Sequence, residues 1–261
     1  VSLDLHHRVV GEGDPLIVLH GLFGSLENLG GITQRLSDRW QIHALDLRNH
    51  GRSPHTDAMG YPAMADDVKR YMDSAGLASA SVLGHSMGGK TAMELALAHP
   101  NRIDRLIVAD IAPVDYPPHH DAIIDGLSGL DLTTIASRGA ADKALAEAVP
   151  EAPVRQFLLK NLVRDADGGF TWRLNLDVIE RHYDQIAAGP SAEGPFEGPT
   201  LFIKGGDSGY IQTQHQDIVA RLFPQASLRI IPGTGHWLHA EKPDLFANLC
   251  SRFLDGEFDA R

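Results

Sequence analysis

Short apolar runs alternate along the chain with longer stretches in which apolar side chains recur every three or four residues. The runs lie at residues 16–20, 42–47, 80–84, 105–111, 200–205 and 228–231. They are near-continuously apolar, the signature of strands covered on both faces. The intervening stretches, 29–37, 61–76, 90–98, 213–222 and 243–254, carry the helical spacing, and Gly76 and Pro100 are placed to stop two of them. The pattern predicts an α/β fold, a mostly parallel central sheet with helices on both faces. Residues 1–8 alternate apolar and polar like an edge strand and lack the long apolar core of a signal peptide.

One interval breaks the alternation. Residues 113–199 show no convincing strand and several helical patches, at 131–137, 140–149, 154–163 and 176–188. A structureless connection of that length does not suit a compact domain. The expectation is a core domain made of residues 1–112 and 200–261, with 113–199 inserted as a helical cap over the site. The alternative is a helical subdomain without substrate contact.

In open sheets of this kind the ligand lies beyond the carboxyl ends of the strands. His20, Asp46, Ser86, Asp110, Asp207 and His236 all fall there. Residues 84–91 read GHSMGGKT, which satisfies both the nucleophile elbow G-x-S-x-G and the phosphate loop G-x-x-x-x-G-K-T. Position favours the elbow, because phosphate loops usually follow the first strand of their domain and several strand-like runs precede Gly84. Lys90 and Thr91 then simply begin the next helix.

An elbow serine needs a base, an acid and two oxyanion donors. His236, in the Gly-rich loop after the last strand, is the base candidate among fourteen histidines. Asp110 and Asp207, each following a strand, are both candidates for the acid, and both give the chain order Ser, Asp, His. The N–H of Met87 is the first oxyanion donor, and the turn at HGLFG, residues 20–24, offers the second at Leu22. Phe23 and Trp237 are substrate-binding candidates, joined by Met87, Phe157, Leu158 and Trp172 in an apolar acyl pocket. His20 reads as a structural residue bonded to the loop, and His239 as packing on the following helix. The pairs His6-His7 and His119-His120 have no Cys or carboxylate at ligand spacing, so no metal and no cofactor are expected.

Bulk properties narrow the partners. Thirty-four acidic against twenty-three basic residues give a net charge of −11, which argues against nucleic acid and against an anionic membrane surface. No apolar run is long enough to cross a bilayer. The single cysteine, Cys250, sits among apolar neighbours as a packing thiol and is compatible with a cytoplasmic setting. The expected partner is a small acyl ester.

These residues resemble the α/β-hydrolase superfamily, and within it the YbfF-like small esterases and their mitochondrial abhydrolase-domain relatives. The similarity runs through HGLFGS (20–25), DLRNHGRSPH (46–55), GHSMGGKTAM (84–93), ADIAPVDY (109–116) and GHWLHAEKP (235–243). It implies a cap inserted after the sixth strand and a carboxylesterase in which Ser86 is the nucleophile and His236 the base. The substrates implied are short to medium acyl esters, with acyl thioesters open to the same chemistry. Members commonly carry the acid where this chain has Asp110, with asparagine often at Asp207; that favours Asp110 and keeps both in play. The fold also serves carbon–carbon hydrolases, perhydrolases and non-enzymatic ligand-binding scaffolds, which stand as alternatives. A serine nucleophile disfavours the dehalogenases, which use a carboxylate there.

Overall fold

A computed structural model describes residues 2–258. The main sheet contains β1 (His7–Val10), β2 (Asp14–Leu19), β3 (Trp40–Leu45), β4 (Ala80–His85), β5 (Ile103–Ala109), β8 (Thr200–Gly205) and β9 (Ala226–Ile231), while β6 (Leu162–Arg164) and β7 (Phe170–Trp172) form a separate hairpin. The spatial order is β1-β3-β2-β4-β5-β8-β9, and every pairing except the antiparallel β1–β3 edge is parallel. The predicted edge strand begins only at His7, and Val1 lies outside the described residues.

The core strands are apolar throughout because successive side chains enter opposite layers. In β2, Ile17 and Leu19 pack on one face and Leu16 and Val18 on the other; in β5, Leu106 and Val108 oppose Ile107 and Ala109. The first layer is closed by α2 (Tyr61–Ser74), α3 (Met87–Ala98) and the insertion; the second by α1 (Gly30–Leu36) and α11 (Pro243–Leu254). Helix α2 buries Tyr61, Met64, Ala65, Val68, Tyr71 and Met72, the three-and-four spacing of one face, with Pro62 in its first turn. Helix α11 buries Phe246, Ala247, Cys250 and Phe253, and burial pushes the Cys250 thiol up.

The insertion leaves after β5, the fifth strand in chain order rather than the sixth, because a single antiparallel strand precedes the parallel set. It holds α4 (Asp121–Ser128), α5 (Arg138–Leu145), α6 (Ala152–Leu158), α7 (Leu176–Arg181) and α8 (Tyr183–Ala187); α9 (Gln216–Leu222) and α10 (Leu238–Glu241) complete the fold. Two expectations for this region change, and one helix is added. The insertion is not wholly helical: α6 stops at Leu158, and the chain turns into the β6–β7 hairpin, closed by Asp165 accepting from the N–H of Asp167 and Gly169 at 3.0 and 2.8 Å, with Gly168 at φ 83°. Residues 131–137 form turns, since Asp131 accepts from the N–H and hydroxyl of Thr133 at 3.1 and 2.6 Å and so competes with helix formation. Residues 121–128, outside the expected helical patches, form the helix α4.

The insertion is rooted on α3. The Lys90 ammonium donates to the carbonyls of Ala187, at 2.8 Å, and Ala188. Glu94 accepts from the N–H groups of Ser191 and Ala192 at 2.6 and 3.2 Å.

Candidate active site

At the carboxyl end of β4 the backbone folds into a bend that only small neighbours permit. Ser86 sits at φ 53° and ψ −119° and leads directly into α3. A Cβ on Gly84 would lie 2.1 Å from the Gly88 carbonyl oxygen, and one on Gly88 would lie 2.4 Å from that of Leu19. The octet is therefore shaped as an elbow, and its lysine is turned toward the insertion, where its donors meet backbone carbonyls.

The hydroxyl of Ser86 lies 3.0 Å from Nε2 of His236, and Nδ1 of that ring lies 2.8 Å from Oδ2 of Asp110. Asp110 is fully buried at the end of β5, at φ 51°. Its Oδ1 accepts the Gly205 N–H at 2.9 Å, and its Oδ2 accepts the Ser208 hydroxyl at 2.5 Å as well as the imidazole. Three donors converge on one carboxylate. A carboxylate in that form only accepts, so Nδ1 of His236 carries the proton and Nε2 is free to accept from the serine. Asp207, the other acid candidate, is exposed, and both ring nitrogens of His236 are already engaged elsewhere. Its backbone N–H instead donates to Thr234 at 2.9 Å and so clasps the histidine loop.

The turn at 20–24 closes over the serine. A Cβ on Gly21 would come within 3.3 Å of the Ser86 Cβ. His20 is buried; its Nδ1 donates to the Gly21 carbonyl at 2.8 Å and its Nε2 accepts the Leu47 N–H at 3.0 Å. Burial lowers its pKa to about 4, so it is neutral. Phe23, at φ 60°, donates its N–H to His50 and receives Asn161 of the insertion on its carbonyl at 2.7 Å. Asp46 accepts the N–H groups of Leu26 and Arg52 at 2.7 and 2.9 Å, and Arg48 forms a two-pronged pair with Asp67 at 2.7 and 2.9 Å, both side chains buried.

Two cavities meet at Ser86 and share Leu22, His120 and Tyr210. One, about 30 Å³, is walled by Met87, Lys90, Ile111, Tyr116, Tyr183 and Ile186. The other, about 570 Å³, is walled by Phe23, Phe157, Leu158, Trp237 and His236. Of the expected apolar set, Met87 faces the smaller cavity, while Trp172 lies in β7 and lines neither.

Comparison with known proteins gives the family. A profile described as the alpha/beta hydrolase fold matches residues 14–132. The mouse "sn-1-specific diacylglycerol lipase ABHD11" is 42% identical over 247 residues, covering 92% of this chain and 80% of the relative. The chain belongs to the α/β-hydrolase family. Within it, several relatives are named as esterases or lipases: "Esterase YbfF" of Escherichia coli is 40% identical over 94% of both chains. A solved "Marine microorganism esterase" superposes with a TM-score of 0.94 at 42% identity, covering 97% of this chain and all of that one. Hydrolysis of acyl esters goes with this branch of the α/β-hydrolases.

Several residues at the site were not singled out from sequence. Ser208 and Tyr210 lie in the same GGDSGY turn that drew attention to Asp207; hydroxyl and ring were overlooked beside a carboxylate. His85 lies between His236 and His239, tilted to the first and edge-on to the second with centroids at 4.7 and 4.4 Å, and its Nε2 lies 2.8 Å from the His236 carbonyl. No spacing rule signals such a cluster. Lys90 was read as the start of a helix; burial lowers its pKa to about 7, with Asp115 opposing the shift.

Proposed function

We propose that the protein is a serine carboxylesterase using Ser86 as nucleophile, His236 as base and Asp110 as the acid that orients it. Leu22 and Met87 serve as oxyanion donors, and Phe23 and Trp237 as substrate-binding residues. The observation that carries the reading is the unbroken hydrogen-bonded path from the Ser86 hydroxyl through the His236 ring to buried Asp110. Nε2 takes the hydroxyl proton as the oxygen attacks the ester carbonyl carbon, and the carbonyl π electrons move onto oxygen opposite the two backbone N–H groups. When that charge returns, the bond to the alcohol oxygen breaks and the proton on Nε2 passes to the leaving alkoxide. Water then repeats the attack on the acyl-Ser86 carbonyl, giving up a proton to Nε2 that returns to the serine as the acid departs.

The substrates are short to medium acyl esters, with thioesters open to the same steps. The unit is divided into a core of residues 1–112 and 200–261 and a cap of 113–199. Among the described residues no helix is long and apolar enough to cross a membrane. A cytoplasmic setting is part of the reading, and the buried thiol of Cys250 is compatible with it. The test is a fluorophosphonate probe with p-nitrophenyl acetate: labelling at Ser86 and turnover lost together in Ser86→Ala are expected. Undiminished turnover by Ser86→Ala overturns the proposal.

A further inference from the structure

The space around Ser86 is unequally divided, and the position of the imidazole says which part of the substrate goes where. In the collapse of the tetrahedral intermediate, Nε2 of His236 delivers its proton to the departing oxygen, so that oxygen must face the ring. The group attached to it continues into the cavity that His236 walls, the one of about 570 Å³. The carbonyl oxygen is directed to the backbone of Leu22 and Met87. What remains for the acyl substituent is the other cavity, about 30 Å³, which lies on the Met87 side and does not include the imidazole. With about 30 Å³ against about 570 Å³ for its neighbour, this cavity suits a short acyl group and the neighbour an extended chain.

Its walls are fixed by bonds that widening would break. The Tyr61 hydroxyl donates to the Ile186 carbonyl at 2.5 Å, and the Tyr116 hydroxyl to that of Tyr210 at 2.6 Å. The Tyr183 hydroxyl lies 2.6 Å from Nδ1 of His120 and accepts the His120 N–H at 3.2 Å. The Lys90 ammonium is spent on the carbonyls of Ala187 and Ala188. The larger cavity has the opposite character, with Phe23, Ile123, Val154, Phe157 and Trp237 offering an apolar surface.

Resting on the esterase reading, we infer that the small cavity is the acyl site and the large one the leaving-group site. The preferred substrates are then esters, or thioesters, of a two- or three-carbon acid with a bulky apolar alcohol or thiol. This narrows the acyl range and moves Phe23, Phe157, Leu158 and Trp237 from the acyl side to the alcohol side.

Octyl acetate and ethyl octanoate test it, because they are isomers with the same atoms and nearly the same hydrophobicity but with acyl and alcohol lengths exchanged. Acid release under pH-stat conditions is expected to give octyl acetate a kcat/KM at least about tenfold higher. Ile186→Ala and Ile111→Ala, which enlarge the small cavity, are expected to raise ethyl octanoate turnover selectively; if neither variant folds, the wild-type ranking still decides. Equal values, or the reverse order, with Ser86 labelled by fluorophosphonate overturn the assignment and leave the esterase reading standing. No turnover of either isomer or of p-nitrophenyl acetate, with Ser86 unlabelled, overturns both.

Discussion

The Tyr210 ring lies stacked on the imidazole of His236, centroids 4.1 Å apart and planes 27° from parallel, and its hydroxyl reaches Nε2 of His119 at 2.6 Å. The His236 ring is thus held by Asp110 at its edge and by an aromatic face that is itself tied to the insertion. Ser208, two residues earlier in the same turn, donates to Asp110. The turn after β8 therefore places no carboxylate on the imidazole but braces both Asp110 and His236.

Asp110→Asn is expected to lower kcat by about ten-thousandfold with the fold intact, because an amide can present an N–H to Nδ1 and impose the wrong tautomer. Asp207→Asn is expected to stay within about twofold, since its bond to the histidine loop is made by the backbone. Steady-state kinetics on p-nitrophenyl acetate check both, and equal losses would refute the assignment.

Ser208→Ala removes one donor from Asp110 and Tyr210→Ala removes the stacked ring. Each is expected to reduce kcat by about tenfold with KM little changed, the mark of a group that positions another. Ser208→Thr should restore most of the rate and Tyr210→Phe should keep the stack. A purely structural role would lower the amount of active enzyme, counted by fluorophosphonate titration, and leave kcat per labelled site unaltered.

The buried pair Arg48–Asp67 lies behind the site. Arg48→Ala is expected to destabilise the fold by about 3–5 kcal/mol, because it strands a carboxylate without its cation. Urea unfolding monitored by tryptophan fluorescence reads this directly, and a loss under about 1 kcal/mol would contradict it.

Acidification should weaken the fold. Burial, the largest cause in each case, lowers the pKa of His20, His120 and His239 to about 4 and of His50 to about 3, from an ordinary value of 6.5. Between 6.5 and about 4 the unfolded chain binds protons that the folded chain refuses, so stability is present above pH 6.5 and declines as pH falls through that window. The melting temperature is expected to drop by about 5 °C or more between pH 7.5 and pH 5. The drop should be smaller in His239→Leu; a flat profile would mean that these rings are more accessible to protons than their burial implies.

Sequence pattern revealed the core strands well, because burial on both faces forces continuous apolar runs, and it singled out Ser86 and His236, which the structure brings within 3.0 Å, because an elbow and a Gly-rich loop demand particular neighbours. It left the acid open. Asp110 and Asp207 follow adjacent strands and differ in burial, which spacing alone does not encode. The β6–β7 hairpin escaped because three-residue strands are too short to show a period. Helix α4 was legible in principle, from the spacing of Ile123, Ile124 and Leu127. Lys90 and Tyr210 act across long sequence separations, where local pattern carries no information.

Four non-glycine residues among those described have positive φ: Phe23, Asn49, Ser86 and Asp110. Each such backbone costs roughly 1–2 kcal/mol, and all four gather at one rim of the sheet. An engineer hunting for hardiness would find a reserve of relaxable tension there, but releasing it at Ser86 or Asp110 would disturb the bonded path on which the proposed chemistry rests. Durable variants are better sought along the edge strand β9, where Leu228 and Ile230 stand uncovered.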